Sequence, residues 1–142
     1  MTEDDPSILS HVSLGTNDFE RATAFYDRIL PTLGCRRVMA HPGAVAYGKC
    51  YPELWVQTPF DGGPATVGNG THIGFQASSK AMVDAFYRAA MAAGGQDDGA
   101  PGARPDYGEH YYGCFVRDLD GHKIEAAFWD KALAAKPAAA EG

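Results

Sequence analysis

The 142-residue chain has no apolar run approaching the length of a membrane span, and it has no cluster of basic side chains. Its 12 Lys and Arg stand against 18 Asp and Glu, for a net charge of −6. These absences argue against a surface that tracks nucleic-acid phosphates and against a binder of anionic membranes. Cysteine is scarce as well. Cys35, Cys50 and Cys114 are odd in number and form no CxxC pair, so neither a disulfide framework nor a paired-cysteine zinc site fits. Reduced thiols in a cytoplasmic protein are expected. The start, MTEDDPS, lacks the basic flank and apolar core of a secretory signal. No phosphate-cradling glycine loop or nucleophile elbow is present.

What remains is an ordinary globular composition, 45% hydrophobic and 21% charged. The length suits one domain, or two small modules sharing a core. The internal pattern favours modules. SHVSL (Ser10 to Leu14) and THIGF (Thr71 to Phe75) place His11 and His72 sixty-one positions apart. The same offset carries Ala24-Phe25-Tyr26 onto Ala85-Phe86-Tyr87, and Gly34 onto Gly95. A duplicated supersecondary unit follows.

Each copy reads as strand, helix, then short strands. In the first, ILSHVSL alternates, Asn17 or Asp18 offers an N-cap, and Ala22, Phe25, Tyr26, Ile29 and Leu33 recur at helical spacing up to Gly34. CRRVMA, AVAYG and ELWVQT follow as strands. In the second, THIGFQA precedes a helix capped by Ser78 or Ser79, striped by Met82, Val83, Phe86, Ala89, Ala90 and Ala93, and stopped at Gly94-Gly95. A weak strand near Gln96 to Asp98, then YYGCFVRD and KIEAAFW, complete it. The expected fold class is α+β: two βαβββ modules, residues 8–57 and 70–130, with curled mixed sheets around a shared cleft and a flexible tail over 131–142. Phe25, Tyr26, Phe86 and Tyr87 are expected in the core. The Gly/Pro-rich loop DDGAPGARPDYGEH is long enough to suggest a functional role.

Alternation also sorts the polar residues. If the apolar face of each strand packs on a helix, His11, Glu53, His72 and Glu125 all fall on the opposite face. So do Trp55 and Lys123. Inward charges are costly unless paired or metal-bound, and neutral imidazole with carboxylate suits Zn²⁺, Fe²⁺, Mn²⁺ or Ni²⁺. Arg104, Tyr107, His110, Tyr111 and Tyr112 cluster at the end of the long loop. The tyrosines can donate to an oxyanion and Arg104 can hold a carboxylate or phosphate, or these are simply lid and edge residues. Trp55 reads as a stacking wall. His41 and His122, next to turns, read as solvated, and the cysteines as structural.

SHVSLGTNDFERATAFYDRIL and the closing DLDGHKIE (Asp118 to Glu125) resemble the vicinal oxygen chelate superfamily, which includes glyoxalase I, extradiol dioxygenases and the fosfomycin- and bleomycin-resistance proteins. The resemblance runs from about Ile8 to Trp129. It implies one divalent metal per site (Zn, Ni, Fe or Mn) held by His11, His72 and Glu125. Glu53 is the candidate fourth ligand of the glyoxalase branch, although it follows Pro52 at a strand start whereas that ligand sits inside an apolar strand. The implied activity is a metal-dependent lyase or isomerase acting on a small oxygen-rich substrate, with Glu125 and Glu53 catalytic and Trp55, Arg104 and Tyr111 lining the substrate. With only two His and one Glu, open positions remain and a dioxygenase or resistance transferase is implied instead. A third branch binds drugs without metal. A homodimer is expected, because each curled sheet leaves exposed edges.

Overall fold

The computed structural model describes residues 8–134. Two mixed sheets are built by the repeat. In the first half, β1 (Val12–Gly15), α1 (Phe19–Ile29), β2 (Arg36–His41), β3 (Ala44–Gly48) and β4 (Leu54–Gln57) follow in order. In the second come β5 (His72–Gln76), α2 (Lys80–Ala92), β6 (Gln96–Asp97), β7 (Gly102–Ala103), β8 (Tyr111–Arg117) and β9 (Lys123–Trp129). The sheet orders match, β1-β4-β3-β2 and β5-β9-β8-β6, with β7 also pairing β8. In each sheet the first strand runs parallel to the last, and the remaining pairs are antiparallel. The α+β class and the two mixed sheets are therefore as the repeat implies.

Local chemistry sets the element ends. Asp18 caps α1 by accepting from the Arg21 N–H, and Ser79 caps α2 by accepting from the Met82 N–H at 3.1 Å. Pro31 turns the end of α1 into the 3-10 helix Leu30–Leu33, and Gly34 at φ 80° closes it. The helices pack against each other, and one continuous core spans both halves, with Tyr26, Ile29 and Val45 from the first and Val83, Phe86 and Ile124 from the second. Of the four aromatics expected inside, Phe25, Tyr26 and Phe86 are buried and Tyr87 is half-buried against the core.

The register repeats with the sequence. Val12 faces Leu54, and Ser13 faces Trp55; at the corresponding rungs Ile73 faces Ile124, and Gly74 faces Glu125. Strand β1 starts later than the alternation of ILSHVSL predicts. Its first rung is the Val12 N–H on Glu53 O at 3.0 Å, and before it Ile8 and Leu9 are exposed and pair with no strand among the described residues.

The turn Asp118–His122 joins the halves. Asp118 Oδ1 accepts from the Asp120 and His122 N–H groups, and Asp120 Oδ1 accepts from the Asn17 N–H at 2.9 Å. His122, expected to be solvated, is buried: its Nε2 donates to the Gly15 carbonyl at 2.7 Å. The turn lies against the loop after β1, so a residue that looks peripheral in sequence is enclosed. Of the expected flexible tail, Lys131–Ala134 form a short helix (α3), and residues 135–142 lie outside the described residues.

Candidate metal and substrate site

Strand alternation on β8 and β9 puts Tyr111, Gly113 and Phe115 on one face with Glu125, Ala127 and Trp129. His72 and Gly74 of β5 join this face beside them. His72 Nε2 lies 3.1 Å from Glu125 Oε1, and the Tyr111 hydroxyl donates to Glu125 Oε2 at 2.6 Å. Both carboxylate oxygens are thus engaged, as a group only 9% exposed requires. Gly74 makes room for this arrangement, since a Cβ there would stand 3.3 Å from Glu125 Oε1. Burial, followed by the bond to Glu125 and its charge, raises the Tyr111 phenol well above its ordinary pKa. Tyr111 therefore stays a donor across the physiological range.

Aromatic rings flank Tyr111 and His72 on this face. Trp129 and Tyr107 each meet Tyr111 edge-on, at 4.9 and 5.0 Å between ring centroids, and His110 leans on Trp129. Phe115 meets the His72 ring at 6.1 Å. Tyr112 departs from the reading that grouped it with the other loop tyrosines. Its side chain points to the helix side and donates to Asp84 Oδ1 at 2.7 Å, because it alternates with Tyr111. The long loop is more ordered than its composition suggests: β6 and β7 pair with β8, and Pro105–Tyr107 form a 3-10 turn.

The first sheet carries the other candidates. His11 is exposed just before β1, with Ser10 Oγ 3.0 Å from Nδ1, and Nε2 has no hydrogen-bond partner among the described residues. Glu53, also exposed, accepts from the Lys49 N–H at 3.2 Å. Both border a cavity of about 500 Å³ that reaches across to Phe75 and Gln76 of β5. Trp55 is half-buried on the outer face, and the His41 ring stacks on it at 6.2 Å and 12°. His41 is exposed, as expected next to a turn, yet it is not free.

Among the described residues, no three His, Cys, Asp or Glu side chains are grouped so as to hold a metal ion. His72 and Glu125 meet, whereas His11 sits on the other sheet, because the halves are joined through their helices and the Asp118–His122 turn. The donor types suit a divalent ion: an imidazole beside a carboxylate already oriented by a second hydrogen bond, with a glycine clearing space. Phe115 and Lys123 also belong to this face and were not singled out as functional from sequence. The same alternation that placed Glu125 and Tyr111 could have found them.

The sequence model described as the Glyoxalase/Bleomycin resistance protein/Dioxygenase superfamily matches residues 8–126. Among solved structures, a glyoxalase/bleomycin resistance protein from Albidiferax ferrireducens T118 is similar at 39% identity, over 86% of this chain and 98% of that one, with a TM-score of 0.77. A glyoxalase-related enzyme from Fulvimarina pelagi (24% identity, 87% and 88% covered, TM-score 0.66) shares the fold. So does a lactoylglutathione lyase from Agrobacterium tumefaciens (23% identity, 87% and 94% covered, TM-score 0.60). Comparison with curated proteins finds no match. With the paired sheets, the repeated register and these matches together, the chain belongs to the glyoxalase/bleomycin resistance protein/dioxygenase superfamily.

Proposed function

We propose that the protein is a metal-dependent enzyme acting on a small oxygen-rich substrate, with His11, His72 and Glu125 holding one divalent cation. The observation that carries this reading is the His72–Glu125 pair, fixed by Tyr111 and seated over Gly74. A cation bound there supplies Lewis-acid polarisation of substrate oxygens. The chain's own groups do the rest. Tyr111 holds the Glu125 carboxylate in one orientation, Phe115 supports the His72 ring, and Trp129 and Tyr107 pack edge-on against Tyr111.

The register favours an open coordination sphere over the four-ligand set of an isomerase. Glu125 faces Gly74, and the corresponding rung of the first sheet pairs Ser13 with Trp55. Trp55 therefore stands where a carboxylate mirroring Glu125 would be. Glu53 is two residues earlier, about 7 Å along the strand, and is already engaged by the Lys49 N–H. With two His and one Glu, positions stay open for substrate oxygens, as in the oxygenase and resistance-transferase branches. Because His11 is apart from the other two, we assign the complete site to a homodimer, His11 coming from one copy and His72 with Glu125 from the other. The three free cysteines fit a reducing, cytoplasmic setting, and no described helix is long and apolar enough to cross a membrane.

Elemental analysis after reconstitution with Zn²⁺, Mn²⁺, Fe²⁺ and Ni²⁺ tests the reading. One ion per chain is expected, lost in His11→Ala and in His72→Ala while the fold persists. Wild-type protein that retains none of the four ions would be a metal-free binder instead.

A further inference from the structure

The glycine-rich segment before β8 folds around its own arginine. Arg104 Nη2 donates to Ala100 O at 2.7 Å and Nη1 to Ala103 O at 3.2 Å. Two glycines clear the space: a Cβ at Gly99 would stand 3.2 Å from Nη2, and one at Gly102 would stand 3.1 Å from Nη1. The guanidinium so held lies 5.9 Å from the centroid of Phe115. Lys123 Nζ approaches the same ring at 5.0 Å. That ring also meets His72, so both cations border the His72–Glu125 face.

The ring attracts each cation, but less strongly than a carboxylate partner would. An acidic partner is the usual arrangement. Arg37 has Asp27 and Arg117 has Asp98, yet among the described residues neither Arg104 nor Lys123 forms an ion pair. Arg104 keeps donors beyond the two that hold the loop. In a chain of net charge −6, a local cationic pair is what would draw an anion to this face.

We propose that Arg104 and Lys123 bind an oxyanion, a carboxylate or phosphate-type group, on the substrate of the His72–Glu125 site. Arg104 provides a preorganised planar fork and Lys123 a point charge, and the loop's glycines serve that placement. The substrate is then an acidic molecule whose anionic end meets Arg104 and Lys123 beside Phe115 while its neutral oxygens face His72 and Glu125. This rests on the reading of that face as the substrate centre.

Calorimetric titration with inorganic phosphate and with malonate, on protein with and without Zn²⁺, tests it. At least one anion should bind wild-type protein. Arg104→Gln should weaken binding about tenfold, and Lys123→Gln about threefold or more. Arg104 also holds loop carbonyls, so Lys123→Gln, which breaks no hydrogen bond to the loop among the described residues, is the deciding variant. His72→Ala separates this idea from the metal reading: it should abolish Zn²⁺ binding and leave the contribution of the two cations to anion binding in place. A preference for phosphate or for malonate would identify the group and support the proposal either way. Wild-type protein that binds neither anion, or Lys123→Gln protein that binds both as tightly as wild type, would overturn it even with normal Zn²⁺ stoichiometry.

Discussion

The Tyr26 hydroxyl donates to Asp118 Oδ2 at 2.6 Å, tying α1 of the first half to the β8–β9 hairpin of the second. Both side chains are buried, and Asp118 also collects the Asp120 and His122 N–H groups. Removing the phenol oxygen leaves a buried carboxylate short of a donor. Tyr26→Phe should therefore cost about 2 kcal/mol, more than the same change at an exposed tyrosine. Urea unfolding of the variant against wild type measures it.

The same carboxyl predicts a pH effect. Burial raises the Asp118 pKa, and the Tyr26 hydrogen bond and the neighbouring His122 oppose the rise without cancelling it. Asp118 thus binds its proton more tightly folded than unfolded. Its contribution to stability is fully present below the unfolded value and is lost as pH rises through the folded value. Asp118→Asn has no such titration. The stability gap between wild type and Asp118→Asn should narrow as pH rises from about 3 to about 6. A gap that widens over that range would mean the ionised form is the one the fold favours.

That Asp118–His122 turn also marks where sequence reasoning stops. The repeat, the caps to within one residue (Asn17 or Asp18, Ser78 or Ser79), and the face shared by His72 and Glu125 are legible, because each follows from local periodicity or from an offset within the chain. His122 is not. Its burial depends on Gly15, more than a hundred positions away, lying against the hairpin. Arg104 was visible as a possible anion binder. Its seating between Gly99 and Gly102 was hidden in a segment whose glycines looked like slack. The separation of His11 from its expected partners depends on how the halves pack, which no strand pattern encodes.

Glu53 offers a test of coordination number. It is exposed and accepts from the Lys49 N–H, while Trp55 occupies the rung that mirrors Glu125. Glu53→Gln keeps an acceptor for Lys49 and should change metal affinity by less than about threefold, with stability within about half a kcal/mol of wild type. Competition with a chromophoric chelator reads the affinity. A loss of metal on the scale of His72→Ala would restore Glu53 as the fourth ligand, and with it the isomerase branch.

The last prediction concerns where the site is completed. Strands β1 and β5 are both sheet edges, and the exposed Ile8 and Leu9 flank the first of them. An edge with apolar neighbours is a surface that a second copy can cover, and closed two-fold symmetry makes a dimer the simplest product. His11 belongs to one sheet and Glu125 to the other, so His11→Ala and Glu125→Ala damage different half-sites. Neither variant alone should hold metal. If sites form between copies, mixing the two after unfolding and refolding gives hybrid dimers with one intact site apiece. Random pairing makes about half of the dimers hybrids. Metal content should then recover to about a quarter of wild type, because each of those hybrids restores one of its two sites. Zinc analysis of the refolded mixture, with size-exclusion chromatography to establish the dimer, reads the outcome. No recovery from a verified mixture of dimers would place each site within a single chain.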